Sequence, residues 1–463
     1  MRCGIEAMKK GKPMQKKTVN SLIRAVAVIG ASSMLLAGCS NPAASTDNTD
    51  TSAAGYWPEV STSLDGVTLT LWTGASEKNY LNKAIEGFEK LTGATVNTET
   101  IPDSYENNVQ TKVTTGDMPD LALWQPTTSM LAGFVSQGKL QALDNAPFES
   151  AYKDGLGDIA GKYNGKRYAL LFSSPSVIGA YYNKHVFEAA GIDSMPQNWD
   201  ELVADAEKIK AAGIDGLVSP LYEMGGSQWG TQWAVQVQLA EAAKDGLWDR
   251  VNENKEKFTD STIMEAINNY NDLFKQGLYN ANAGSAKDTD QEQALLDGKT
   301  GIIFGNRSQF TAIQAMADNN IDTLNDTIGY FPISKDGTIS TLVPDTSGGM
   351  IAFKTGDAKR ESAARQFMNY LVTDGYEDFI TDQNLPSIMK AVDSPSTVPQ
   401  AILDATDAIS NSVGSMQMLA IANPDLYINL ANMVNGTMTP EEVASVTQDQ
   451  FSQVAKAQGA KGF

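Results

Sequence analysis

Between Val67 and Leu71 the chain alternates, with Val67, Leu69 and Leu71 apolar and Thr68 and Thr70 polar, the period of a strand with one buried face. The period then changes. In SEKNYLNKAIEGFEKLTG, residues 76–93, the positions Leu81, Ala84, Ile85, Phe88 and Leu91 recur at helical spacing, and Gly93 stands where a helix would stop. ATVNTETI reads as the next strand, SYENNVQTKVTTG as a helix and PDLALW as a third strand. Further on, Asn198-Trp199-Asp200-Glu201 has the form of a capping box opening a helix that runs to about Gly213. Strand and helix in alternation predict an α/β fold, with a parallel-rich sheet covered by helices on its faces.

The N-terminal segment follows another pattern. Lys9, Lys10, Lys12, Lys16, Lys17 and Arg24 precede an uncharged stretch from Ala25 to Leu36. A basic region followed by a short apolar run is the layout of a secretory signal, too short to span about 30 Å of hydrocarbon comfortably. Leu36-Ala37-Gly38-Cys39 resembles the lipobox of bacterial lipoproteins, in which the cysteine is acylated and becomes the new N-terminus. Residues 1–38 are therefore expected to be removed, and 39–63 to form a lipidated Cys39 with a flexible tether. The tether reading rests on Ser, Thr, Ala, Asn and Asp, which bury too little to offset the entropy of ordering. Two or more acyl chains on Cys39 would give stable attachment at the outer face of the cell membrane, the chain touching the membrane through that anchor only.

The mature chain of 425 residues would contain no other cysteine, since Cys3 leaves with the signal, so no disulfide is possible. About 400 residues beyond the tether exceed what one core sustains, and two domains are expected. The formal charge is −20 for the whole sequence, and without residues 1–38 it is 28 basic against 54 acidic side chains. Such a field repels nucleic acid and anionic lipid but not a neutral solute.

Several catalytic or cofactor readings fail on spacing. Gly155-Leu156-Gly157-Asp158-Ile159-Ala160 fits a dinucleotide fingerprint as a string but does not follow a buried strand. DGKTG at 297–301 lacks the earlier glycine of a phosphate loop, with Gln293 in its place. Asp288, Asp290 and Glu292 have Gln293 where a calcium loop requires glycine. His185 is the only histidine, which leaves little for a Ser-His-Asp triad or a transition-metal site. Paired carboxylates for glycoside hydrolysis exist by number alone, and no spacing singles out a pair.

Longer segments carry a resemblance. YNGKRYALLF (163–172), GAYYNKHVFEAAGID (179–193), PQNWDEL (196–202), LLDGKTGIIFGN (295–306), DTSGGMIAFK (345–354) and AARQFMNYLV (363–372), in that order, resemble the extracellular solute-binding proteins of ABC importers. The similarity is to the large group that includes the maltose- and oligosaccharide-binding proteins, and it extends over nearly all of the chain from Val67.

The resemblance implies a two-lobed, type II periplasmic-binding-protein-like fold whose lobes are joined by three hinge crossings, with ligand in the cleft between them. Placed by the matched segments, lobe one combines 64–172 with 306–346, lobe two 177–303 with 350–463, and the crossings fall at 173–176, 304–305 and 347–349. One rigid-body closure would then bury a ligand. The implied function is non-catalytic: capture of a mono- or oligosaccharide and delivery to the transmembrane subunits of an ABC permease, as a monomer and without cofactor or metal.

Candidate ligand-binding residues lie in loops at strand ends. Trp72, Thr73 and Gly74 follow the first strand. Trp124 follows DLAL at a position resembling the family's recurrent sugar-contacting tryptophan, with Gln125 and Thr127 beside it. From the other lobe come Glu223, Trp229 and Trp233. Asn306 and Arg307 follow the expected second crossing, and Ser347, Gly348 and Gly349 lie at the third. Indole suits the C–H face of a sugar ring, and amides and carboxylates suit its hydroxyls. Any single tryptophan reads equally as core. Two alternatives stay open: a polyamine or similar solute held by Asp103, Glu223 or Asp345, and a cell-surface glycoside hydrolase.

Overall fold

The structure is a computed structural model, and it describes residues 56–102, 104–153, 155–344, 348–457 and 459–463. The expected signal 1–38, Cys39 and the tether as far as residue 55 lie outside the described residues. The strands among the described residues are, in chain order, β1 Thr68–Thr73, β2 Thr95–Thr100, β3 Leu121–Leu123, β4 Lys162–Tyr163, β5 Lys166–Arg167, β6 Ala169–Leu171, β7 Ser176–Asn183, β8 Ser219–Leu221, β9 Thr300–Gly305, β10 Ile328–Phe331, β11 Ser340–Val343, β12 Gly349–Ala352 and β13 Ser412–Gly414.

Two sheets organise them. The first has the order β2-β1-β3-β12-β6, and the second β13-β11-β7-β9-β8 with β10 also on β7, while β4 and β5 form a separate hairpin. In the first sheet β1 is parallel to β2 and β3, and β12 runs antiparallel to β3 and β6. The second is built on β7, which is antiparallel to β9, β10 and β11. The expected parallel-rich sheet is thus a mixed one in both cases. The α/β class and the alternation of elements are as expected.

Local signals act as chemistry requires. The helix Asn82–Thr92 buries Ala84, Ile85 and Phe88 against the first sheet, and Gly93 ends it at φ 75°. Leu91 does not join that face and is 44% exposed. Asn198 Oδ1 accepts from the Glu201 amide at 2.9 Å and opens the helix Trp199–Ala211.

The partition of the chain differs from the expected one. β10 and β11 belong to the second sheet, with the helices Arg307–Met316 and Ile321–Thr327 beside them, so 306–346 does not accompany β1 to β3. Conversely β12 and the helices Ala358–Leu371 and Tyr376–Asp382 pack with the first sheet, in place of the expected grouping of 350–463 with 177–303. The passage expected at 304–305 is absent: Gly305 still pairs with Gly179, and Asn306 caps the next helix. The chain passes between the sheets after β6, after β11, and between Met389, bridged to Tyr152, and the helix Gln400–Asp407 on β10.

The end of the expected tether is also pinned. Trp57 packs edge-on against Phe148 at 5.3 Å and its Nε1 donates to the Asp144 carbonyl at 3.1 Å. Arg365 Nε donates to the Tyr56 carbonyl at 3.0 Å and Gln366 Nε2 to that of Val60 at 2.6 Å. Tyr56, Trp57 and Val60 supply the apolar content that the preceding run lacks, so the fastened chain begins before residue 63.

Candidate functional site

A cavity of about 930 Å³ opens between helices carried by the two sheets. One wall is the helix Thr128–Ser136 with its follower Gln137, backed by Gln110 and Thr114 at the end of the helix Tyr105–Thr114. The other comprises Trp248, Asp249 and Asn252 of the helix Leu247–Asn252 and the segment 417–423. Tyr163 of the β4–β5 hairpin is also at the edge.

Both walls are fastened by hydrogen bonds. Thr127 Oγ1 caps its helix by accepting from the Met130 amide, at 3.4 Å. Opposite, Asn252 Nδ2 donates to the Leu419 carbonyl at 3.0 Å while its Oδ1 accepts from the Ile421 amide at 2.8 Å. A glutamine network holds the same segment. Gln417 Nε2 donates to Gln232 Oε1 at 2.6 Å, Gln236 Nε2 donates to Gln417 Oε1 at 2.7 Å, and Gln236 Oε1 accepts from the Met416 amide at 2.9 Å. Buried amides satisfied in this way give a wall of fixed shape.

Among the described residues, none of the expected ligand residues lines this cavity. Trp124 lies directly behind it: the ring is fully buried, packs on Phe134 at 5.0 Å and donates Nε1–H to the Met130 carbonyl at 3.1 Å. It is a packing element of the wall, and its free edge is already spent on the backbone. Trp72 is buried too, donating to Glu99 Oε2 at 3.0 Å beneath the Lys112 ammonium. Thr73 is buried with it. Gln125 Nε2 donates to Glu106 Oε1 at 3.0 Å. Gly74 borders a separate hollow of about 200 Å³ with Glu77, Tyr105 and Glu106. Burial, with those two carboxylates adding to it, holds the Tyr105 phenol well above its ordinary range.

On the second sheet, Trp229 is half-buried and meets Trp233 edge-to-face at 5.9 Å; its carbonyl accepts from Gln232 Nε2 at 3.0 Å, one step behind Gln417. Glu223 is buried, accepting from the Tyr270 hydroxyl and the Met224 amide, both at 2.8 Å. Burial pushes its carboxyl up to about 7, the two hydrogen bonds opposing. Asn306 caps the helix Arg307–Met316 through bonds from the Ser308 and Gln309 amides.

Thr127 and Gly348 line a narrow hollow at the passages between sheets, with Ser173, Pro175 and Met418. At Gly349 a side chain is excluded, since a Cβ would lie 2.3 Å from the Trp124 carbonyl oxygen. Asp103, Asp345 and Ser347 lie outside the described residues.

The residues that do line the cavity, Tyr163, Trp248, Asp249, Asn252 and Gln417, were missed. Tyr163 opens the quoted YNGKRYALLF, and Trp248 lies in an amphipathic run with Leu247 and Val251; neither carries a motif. Among the described residues no group of His, Cys, Asp and Glu could hold a metal ion, and no helix is long and apolar enough to cross a membrane.

The sequence model of the bacterial extracellular solute-binding proteins matches residues 74–378. A binding protein of Brucella abortus (strain 2308) is 29% identical over 234 residues, 49% of this chain and 54% of its own length, so the chain spans about half of that relative. The diacetylchitobiose binding protein DasA of Streptomyces coelicolor is 24% identical over 332 residues, 69% of this chain and 72% of that one. Among solved structures, the apo form of RafE from Streptococcus pneumoniae superposes with a TM-score of 0.70 at 20% identity, over 86% of this chain and 100% of that one.

Proposed function

We propose, starting from the fact that this chain belongs to the bacterial extracellular solute-binding proteins, that it is the lipid-anchored, non-catalytic receptor of an ABC importer for a carbohydrate. The observation that carries the reading is the cavity itself: about 930 Å³, walled by helices from two different sheets. A ligand there touches both bodies, so its binding free energy is realised only when they stand at one relative distance. Closure of one body on the other then becomes the state a permease can recognise.

The chemistry of the lining suits sugar. Hydroxyl and amide side chains can both donate and accept, as a sugar hydroxyl does, and the aromatic face of half-buried Tyr163 suits the C–H face of a ring. The names of DasA and RafE, a diacetylchitobiose binder and a protein solved elsewhere with raffinose, point the same way. Cys39 would hold the receptor, as a monomer, at the extracytoplasmic face.

Thermal-shift and calorimetric screening of the mature chain against sugars tests this. Bound ligand at 100 times its Kd stabilises the folded state by about 2.7 kcal/mol. Stabilisation with the sugar recovered intact by chromatography is expected. A turned-over sugar would make the protein a hydrolase, and failure of every sugar to stabilise it would remove the reading.

A further inference from the structure

The lining of the cavity narrows the ligand class. Asp249 is the one charged side chain among the described lining residues, and it is exposed; no lysine, arginine or histidine is among them. A phosphate or carboxylate drawn into this space would lose water without gaining a cation, and would meet the Asp249 carboxylate in a protein already strongly acidic. Neutral hydroxyls meet no such penalty. They find the amides of Gln110 and Asn423 at the exposed ends of the two walls, and the open Oε1 of Gln137, whose Nε2 already donates to the Gly133 carbonyl at 2.9 Å.

The length of the walls matters as much. Lining positions on the first wall run from Thr128 to Gln137, which at about 1.5 Å per residue is some 13 Å of helix, longer than one pyranose ring. The volume stands near the top of the range of about 300–1,000 Å³ for small-molecule sites, so a single ring would leave most of it to water. Tyr163, half-buried at the rim, is the aromatic face best placed to meet a ring while its edge stays wet.

We infer that the cavity takes an uncharged oligosaccharide of more than one ring, with Tyr163 as a stacking platform and Asp249 as the group that turns anionic sugars away. This inference rests on the carbohydrate reading above.

Titration calorimetry of the mature chain tests it with neutral probes (maltotetraose, cellotetraose, xylotetraose and N-acetylchitotetraose), the monosaccharide of each, and anionic tetragalacturonate. The expected result is binding of at least one neutral tetrasaccharide, at least tenfold tighter than its monosaccharide, with no heat from tetragalacturonate. Tyr163→Ala should weaken that binding roughly tenfold and Tyr163→Phe leave it within twofold, because the face and not the hydroxyl is used. Asp249→Lys, at an exposed position, should admit tetragalacturonate.

A monosaccharide bound as tightly as its tetrasaccharide, or tetragalacturonate bound as tightly as the neutral probes, would overturn the inference while leaving a sugar receptor in place. Silence from every saccharide, with both variants folded by circular dichroism, would overturn the carbohydrate reading and this inference with it.

Discussion

Asp120 and Glu223 are both carboxylates buried at strand ends, one in each sheet, and they are held in opposite ways. Asp120, at the entry to β3, accepts through Oδ2 from the Arg360 guanidinium and from the Thr70 amide, each at 2.7 Å. Glu223, just past β8, has a phenol and an amide but no cation. One tryptophan from each side differs similarly: Trp124 of the first sheet is sealed with its N–H satisfied, whereas Trp229 beside the second is half-buried. The first sheet is thus locked by a charge pair and a closed aromatic layer, and the second retains a group whose ionisation costs free energy. The second should therefore respond to pH near neutrality.

The sharpest way to break this contrast is to truncate both indoles. Trp124→Ala should cost about 3–5 kcal/mol in urea unfolding, the range for deleting a large buried aromatic, and Trp229→Ala about 1–2. Equal costs would mean the two sheets are closed alike. Asp120→Ala comes next, at about 2–3 kcal/mol: it strands Arg360 and the Thr70 amide, but Arg360 is 37% exposed and can turn to water.

Third is the pH response. The Glu223 carboxyl is held at about 7 when folded against an ordinary 4.5, so between those pH values the folded state carries the extra proton. Stability contributed by this group is fully present below about pH 4.5, falls as pH rises through the window, and is gone above about 7. The loss should be on the order of 3 kcal/mol in melts across that range. Glu292, raised to about 7 by burial and by neighbouring Asp288, acts with the same sign, so Glu223→Gln should roughly halve the slope. A slope unchanged in that variant would break the contrast. Smallest is His185→Gln, which removes an exposed pair with Asp326 and should move stability by less than about 0.5 kcal/mol, measured in the same melts.

Much of the fold is legible in local pattern. The alternation through Val67, Leu69 and Leu71, the stripe through Phe88 and the stop at Gly93 all correspond to described elements, because each depends on a few neighbouring residues. The strand pairing of 306–382 was not legible. β10, β11 and β12 are four residues each and fully buried, so no alternation marks which sheet they enter; long-range pairing decides that. The site was less legible still. A tryptophan at a strand end looks the same in sequence whether its ring faces a cleft or, like Trp124, turns under Phe134 and Met130. Cavity residues such as Asn252 and Gln417, far apart in the chain, meet only through folding.

The order β2-β1-β3-β12-β6 has a further consequence for biosynthesis. Because β12 sits between β3 and β6, a growing chain that has reached residue 340 has a gap in its first sheet, and β6 has no neighbour. No single cut yields two self-sufficient halves, and the pairing that fills the gap spans more than two hundred residues from β3, a topology that slows folding. Such a polypeptide keeps its first sheet open until late in its synthesis, and β6 is left waiting for a partner made long after it.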